Sequence, residues 1–220
     1  MSEVGPAPRV ARLFSGRPPS TSCDELSVVG LQLFIERGFD QTSIDDIASA
    51  AGIGRRTFFR YFDSKADVAW GNFDAAIEYL REGLASVPAS QSTMEALRTA
   101  VIKFNRLPPD QVGPHRQRIA LILSVPALTA RSTLRYAQWR GAIEEFAANR
   151  YQLPVGHLFP RCLGQCALGA ALAAHEQWLS DDDSDLEQLL DEAFRVLSVG
   201  FDLDRLDLSV PASPTYEEAE

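Results

Sequence analysis

Apolar residues recur along most of this chain at three- and four-residue steps, the spacing that places them on one face of an α-helix. Leu26, Val29, Leu33 and Phe34 make the first such stripe. It follows Ser22-Cys23-Asp24-Glu25, where a Ser hydroxyl and a Glu carboxylate three positions on can satisfy each other's backbone N–H groups, and it stops at Gly38. Ser43-Ile44-Asp45-Asp46 repeats the start signal and predicts a helix of barely two turns, with Ile44, Ile47 and Ala48 inward and an end at Gly52. A short helix follows the Gly52 turn. Ser64-Lys65-Ala66-Asp67 is a third start, predicting a longer helix with Phe73, Ile77, Leu80 and Leu84 on one face.

Further helices are expected near 92–106, 115–125, 127–151, 157–179 and 185–203, divided by Pro108-Pro109, Pro126, Pro154 and the acidic loop Asp181 to Asp185. No segment alternates with a period of two, and no internal repeat is present. The predicted fold is therefore all-α, with an N-terminal three-helix unit of helix-turn-helix layout over 22–68 and a C-terminal helical domain over 69–205. Residues 1–21, rich in Pro, Gly, Ser and Arg without apolar periodicity, read as a flexible basic arm, and 206–220 as a disordered acidic tail.

Composition narrows the function. The net charge of -9 argues at first against a nucleic-acid partner. However, residues 180–220 hold 13 of the 30 acidic residues and two of the 21 basic ones, so the rest of the chain carries a net +2. No run of 18 apolar residues and no N-terminal apolar stretch of signal-peptide type appears, so no membrane partner and a cytoplasmic location are expected. Cys23, Cys162 and Cys166 are too few for a disulfide framework. G-x-S-x-G, the phosphate loop and H-E-x-x-H are all absent, so an enzyme is not expected, and neither is a cofactor.

Against this acidic background one stretch stands out. Gly52 to Lys65, "GIGRRTFFRYFDSK", holds four basic and four aromatic residues in fourteen positions. On a helical wheel Phe58, Phe59 and Phe62 share one face, while Arg56, Thr57, Arg60 and Tyr61 lie opposite and Arg55 stands at the start. An apolar side for docking on its own domain, with an outer side of donors for base edges and phosphates, suits a helix entering the DNA major groove.

Gly38 to Val68, "GFDQTSIDDIASAAGIGRRTFFRYFDSKADV", resembles the DNA-binding domain of the TetR family of bacterial repressors in its Thr-Ser helix start, its I-A and A-G pairs and its Y-F-x-S-K ending. The pairing of "GIGRRTFFRYF" with "WGNFD" (Trp70 to Asp74) is similar to the TetR-type regulators that accompany mycofactocin biosynthesis genes. The resemblance implies a dimeric, ligand-responsive repressor on a palindromic operator in double-stranded DNA. Carried over residue by residue, it puts Thr42 and Ser43 on phosphate, and Arg55, Arg56, Thr57, Phe59, Arg60 and Tyr61 towards the groove. Lys65 would hold phosphate at the start of the fourth helix. Phe59 departs from the family, which usually has Tyr there. The effector implied is apolar or a long-chain acyl-CoA. A dimeric small-molecule binding or adaptor protein without operator binding is the competing reading.

Other features are weaker. Arg9, Arg12 and Arg17 in the arm suit a minor groove. Cys162 and Cys166, with His157 and His175, do not follow a known zinc spacing, so no metal is expected. Small residues over 163–175 and the stripe Leu186, Leu189, Leu190, Phe194, Leu197 and Phe201 suit a homodimer interface of four helices. Phe104, Trp139, Phe146 and Trp178 in the middle helices, with Arg116 among the cations Arg106, His115 and Arg118 near the Pro-rich break, suit an effector cavity, with Phe104, Arg116, Trp139 and Phe146 as the candidate contacts.

Overall fold

A computed structural model describes residues 21–154 and 156–200, which form nine α-helices and one 3-10 segment, with no strand among them. The expectations for an arm over 1–20 and for everything from 201 onwards lie outside the described residues. The first two start signals close as capping boxes. Ser22 Oγ accepts from the Glu25 N–H at 3.0 Å at the head of α1 (Cys23–Arg37), and Ser43 Oγ from the Asp46 N–H at 3.1 Å at the head of α2 (Ile44–Ala50). Gly52, at φ +67°, makes the left-handed turn into α3 (Arg55–Phe58). That helix is shorter than its sequence suggests. From Phe59 to Phe62 the chain continues as tight turns, with Arg60 N–H bonded to Thr57 O and Tyr61 N–H to Phe58 O.

The third start signal behaves differently, and the predicted long helix from Ser64 is broken in two. Lys65–Trp70 forms a 3-10 segment, Gly71 turns the chain at φ +57° and ψ -143°, and α4 (Phe73–Ala85) begins afresh under an Asn72 cap. The cause is Asp67. Instead of closing a box on the Ser64 backbone, its 2% exposed carboxylate accepts from Arg131 at 2.8 and 2.9 Å, Arg135 at 3.1 Å and Ser64 Oγ at 2.7 Å. Burial alone would push that carboxyl up, but the Arg131 and Ser64 hydrogen bonds and the two guanidinium charges outweigh it and hold it below the usual range.

The remaining helices are α5 (Thr93–Asn105), α6 (Pro109–Ser124), α7 (Pro126–Tyr151), α8 (Leu158–Ser180) and α9 (Leu186–Ser198). α6 starts six residues before the expected 115, because Pro109 occupies the first helical turn, where no N–H is needed, and Pro114 is tolerated inside the helix. α9 ends at Ser198 rather than 203.

Two apolar cores result. One, around Phe34, Phe58, Phe62 and Val68, joins α1 to α3 with the 3-10 segment and takes in Ile122 and Leu128 from the α6–α7 corner. The other, around Leu97, Trp139, Ile143, Trp178 and Phe194, is built from α4, α5 and α7 to α9. Partly buried Ile119 touches both.

Candidate DNA interface and effector cavity

Phe58 and Phe62 are buried, and they fix the 55–62 segment to α1 and α2 through the first core. This anchoring leaves Arg55, Arg56, Phe59 and Arg60 exposed on the outer side. Phe59, 45% exposed, is outside the core and carries the Arg55 guanidinium 5.4 Å above its ring, on the same outer side as the three arginines. Arg55 also pairs with Asp45 of α2 at 2.9 Å. Arg60 lies 5.8 Å from the Tyr61 ring centre, and neither it nor Arg56 pairs with a carboxylate among the described residues.

Several of the residues expected at DNA bond to this chain's own backbone or caps. Thr42 is 1% exposed and its hydroxyl donates to Leu33 O and Gly38 O, so it closes the α1–α2 turn. The Lys65 ammonium donates to Phe39 O at 2.6 Å and Thr42 O at 2.8 Å, 4.1 Å from the Phe39 ring, which commits two of its three donors to the same turn. Tyr61 OH donates to Thr21 O at 2.5 Å, fastening the end of the segment to the entry of α1. Ser43 is exposed, but its hydroxyl serves the α2 cap. Thr57 is half-buried. Short polar side chains at helix ends are drawn to local backbone groups, a competition a wheel does not display.

Behind this surface lies a cavity of about 280 Å³, walled by Trp70, Phe73, Phe104, Ile119, Ile122, Trp139, Leu168 and Leu172 among others. Of the four expected ligand residues, Phe104 and Trp139 line it. Arg116 does not. It sits over the outer face of Trp178, 5.1 Å from the ring centre, and bonds Asp181 O and the Asp182 carboxylate at 2.9 Å each. Phe146 lies further along α7, under Arg150 beside another groove. The polar side chains of the lining are instead Arg118, His115, His175, Tyr136, Tyr79 and Asn105, together with Trp70, whose Nε1 is buried without a partner among the described residues. In the sequence Arg118 and His115 stand out only as neighbours of the Pro-rich break. Tyr136 was missed, although its position one turn before Trp139 is a usable signal. Burial, with the charges of His175 and Arg118, pushes His115 down to about 4. Burial also lowers His175, whose Nδ1 is 2.7 Å from Ala171 O.

The helices expected at a dimer interface divide their faces. Gly164 of α8 packs against Glu144 and Arg140 of α7, and Leu190 and Phe194 of α9 fill this chain's own core. The outer side of α8 presents Leu158, Phe159, Cys162, Cys166 and Ala173. Among the described residues no group of three or more His, Cys, Asp or Glu is placed to hold a metal, and no helix is long and apolar enough to cross a membrane.

Residues 28–69 match the family described as bacterial regulatory proteins, tetR family, and residues 91–202 match the MftR C-terminal domain. The candidate mycofactocin biosynthesis transcriptional regulator MftR of Mycobacterium tuberculosis is 39% identical over 192 residues, covering 87% of this chain and 96% of that protein. The chain belongs to the TetR family. In fold it is similar to the fatty acid degradation regulator FadR of Bacillus halodurans (TM-score 0.59, 18% identity, 80% of this chain and 98% of that one). FadR of Bacillus subtilis, solved in complex with stearoyl-CoA, is similar too (TM-score 0.55, 18% identity, 78% and 95%). As a TetR protein the chain is a DNA-binding transcriptional regulator.

Proposed function

We propose that this regulator is a repressor that binds a palindromic operator as a homodimer in the cytoplasm and releases it when an apolar or long-chain acyl-CoA-like effector enters the cavity behind the 3-10 segment. Residues 22–68 are its DNA-binding domain and 69–205 its effector and dimerisation domain. The observation that carries the reading is the pair Arg56 and Arg60, exposed and without a carboxylate partner among the described residues, on a segment anchored from below by Phe58 and Phe62. Guanidiniums so held can meet guanine O6 and N7 or phosphate, and the buried rings keep them in register. The outer side of α8 supports the dimer, because an operator of two half-sites needs two copies. The stearoyl-CoA bound to Bacillus subtilis FadR supports the acyl effector.

Genomic fragments retained by the purified protein supply the operator, and titrating a long-chain acyl-CoA into the protein–operator complex tests the release. Displacement of the DNA is the expected result. Failure to retain any fragment would favour a small-molecule binding protein without an operator.

A further inference from the structure

Among the described residues Arg118 is the only Arg or Lys in the cavity lining, and its surroundings there leave its charge unanswered. Its Nη2 donates to Ser27 Oγ of α1 at 3.3 Å, its Nε has no hydrogen-bond partner among the described residues, and no carboxylate among them reaches salt-bridge distance. The acid whose charge reaches it is Asp24, which is exposed. A partly buried guanidinium with a buried, unpartnered Nε, beside the Ser27 hydroxyl and the His115 imidazole in a mostly apolar lining, is costly to keep unless an anion meets it. His115 and His175 do not share that charge, because both are held towards the neutral form.

We infer that the cavity binds an amphiphile whose anionic oxygens pair with Arg118 while its apolar body lies along Phe73, Phe104, Trp139 and Leu172. This rests on the effector reading above and narrows it from apolar molecules to anions. Two sources offer such oxygens, a free carboxylate and the phosphates of an acyl-CoA. The cavity volume of about 280 Å³ is near the small end for ligand sites, so a chain of medium length is the suitable probe. His115 Nε2, buried and without a partner among the described residues, and Trp70 Nε1 are further groups able to meet the ligand's polar end.

The test compares decanoate, decanoyl-CoA and decanol by calorimetry on the full-length protein and on Arg118→Gln and Arg118→Lys. At least one anion is expected to bind the native protein more than tenfold tighter than decanol. Arg118→Gln removes that preference with decanol unchanged, and Arg118→Lys restores much of it. Loss confined to decanoate identifies a carboxylate, and loss confined to decanoyl-CoA a phosphate. Equal affinity for decanol and both anions in the native protein overturns the inference even if Arg118→Gln fails to fold. Anion binding that survives Arg118→Gln overturns it as well, and so does absence of binding by all three. Operator retention, measured on the same samples, reports separately on whether the chain is a DNA-binding regulator.

Discussion

Individual side chains at the DNA-facing surface differ in what holds them. Arg56 and Arg60 are exposed and free of carboxylates among the described residues, so each is available to DNA without breaking an ion pair. Arg56→Ala or Arg60→Ala is expected to cost about 1 to 3 kcal/mol in operator binding and to relax base preference, as read by anisotropy on operator and scrambled duplexes. Arg55 is already paired with Asp45, but such an exposed pair contributes only about 0–1 kcal/mol, so it opens readily. Asp45→Ala should free Arg55 and tighten binding to operator and scrambled DNA alike, by roughly two- to fivefold. Weaker binding would mean that the pair positions Arg55. In the cavity, His115 titrates near 4 when folded and near 6.5 when unfolded, so the unfolded chain binds more protons between those values. Stability is fully present above about pH 6.5 and declines as the pH falls towards 4, by on the order of 2 kcal/mol at pH 5. Urea unfolding at pH 7.5 and pH 5 measures this, and His115→Asn should flatten the difference.

Among elements, the junction between the DNA-binding unit and the helical domain is decided by one carboxylate and one glycine. Asp67 joins the 3-10 segment to α7 through Arg131 and Arg135, and Arg135 extends the link to Asp74 at 3.3 Å. Removing it leaves the partly buried Arg131 without a carboxylate and Arg135 with Asp74 alone, so Asp67→Ala is expected to destabilise by about 2 to 4 kcal/mol in a chemical unfolding curve, and a change under 1 kcal/mol would mean that the cluster does not hold the junction. At Gly71 the φ of +57° with ψ -143° is open to glycine almost alone, and a Cβ there would stand 3.3 Å from Ser27 Oγ. Gly71→Ala should cost about 1 to 3 kcal/mol. The sequence pattern located nearly every helix here but not this break. The Ser64–Asp67 spacing has the form of a capping box, and only the arrival of Arg131 and Arg135 from more than sixty positions away redirects the acid. For the same reason Thr42, Lys65 and Tyr61 were legible as part of the motif but not in their roles, since their partners Leu33, Phe39 and Thr21 are backbone carbonyls without a side-chain signature.

Across the whole molecule, the cavity and the DNA-binding unit meet through side-chain contacts as well as through the chain itself. Arg118 of α6 reaches Ser27 of α1 at 3.3 Å, and Ser27 in turn donates to Val68 O at 2.8 Å, so the cavity wall touches the DNA-binding unit directly. A ligand changes operator affinity only by favouring one arrangement of this contact over another. Ser27→Ala is therefore expected to leave effector binding close to native while reducing the drop in operator affinity that the effector causes. An unchanged drop would place the route through Asp67 and α7 instead. The motif over 38–68 and the apolar stripes made the family and the all-helical fold readable in the sequence. The cavity was only half readable, because which aromatic residues of α5 and α7 leave space between them depends on the packing of α4, α6 and α8 around them.

The central claim is that the 55–60 surface binds DNA through its guanidiniums, two copies at a time. The direct measurement is the affinity for an operator fragment taken from retained genomic DNA, recorded between 50 and 200 mM salt together with the stoichiometry. With six or more phosphates neutralised across two chains, affinity should fall by roughly a thousandfold or more over that range, with two chains per fragment and a shallower slope for Arg56→Ala. An affinity that does not change with salt, or a single chain bound per operator, would contradict the account.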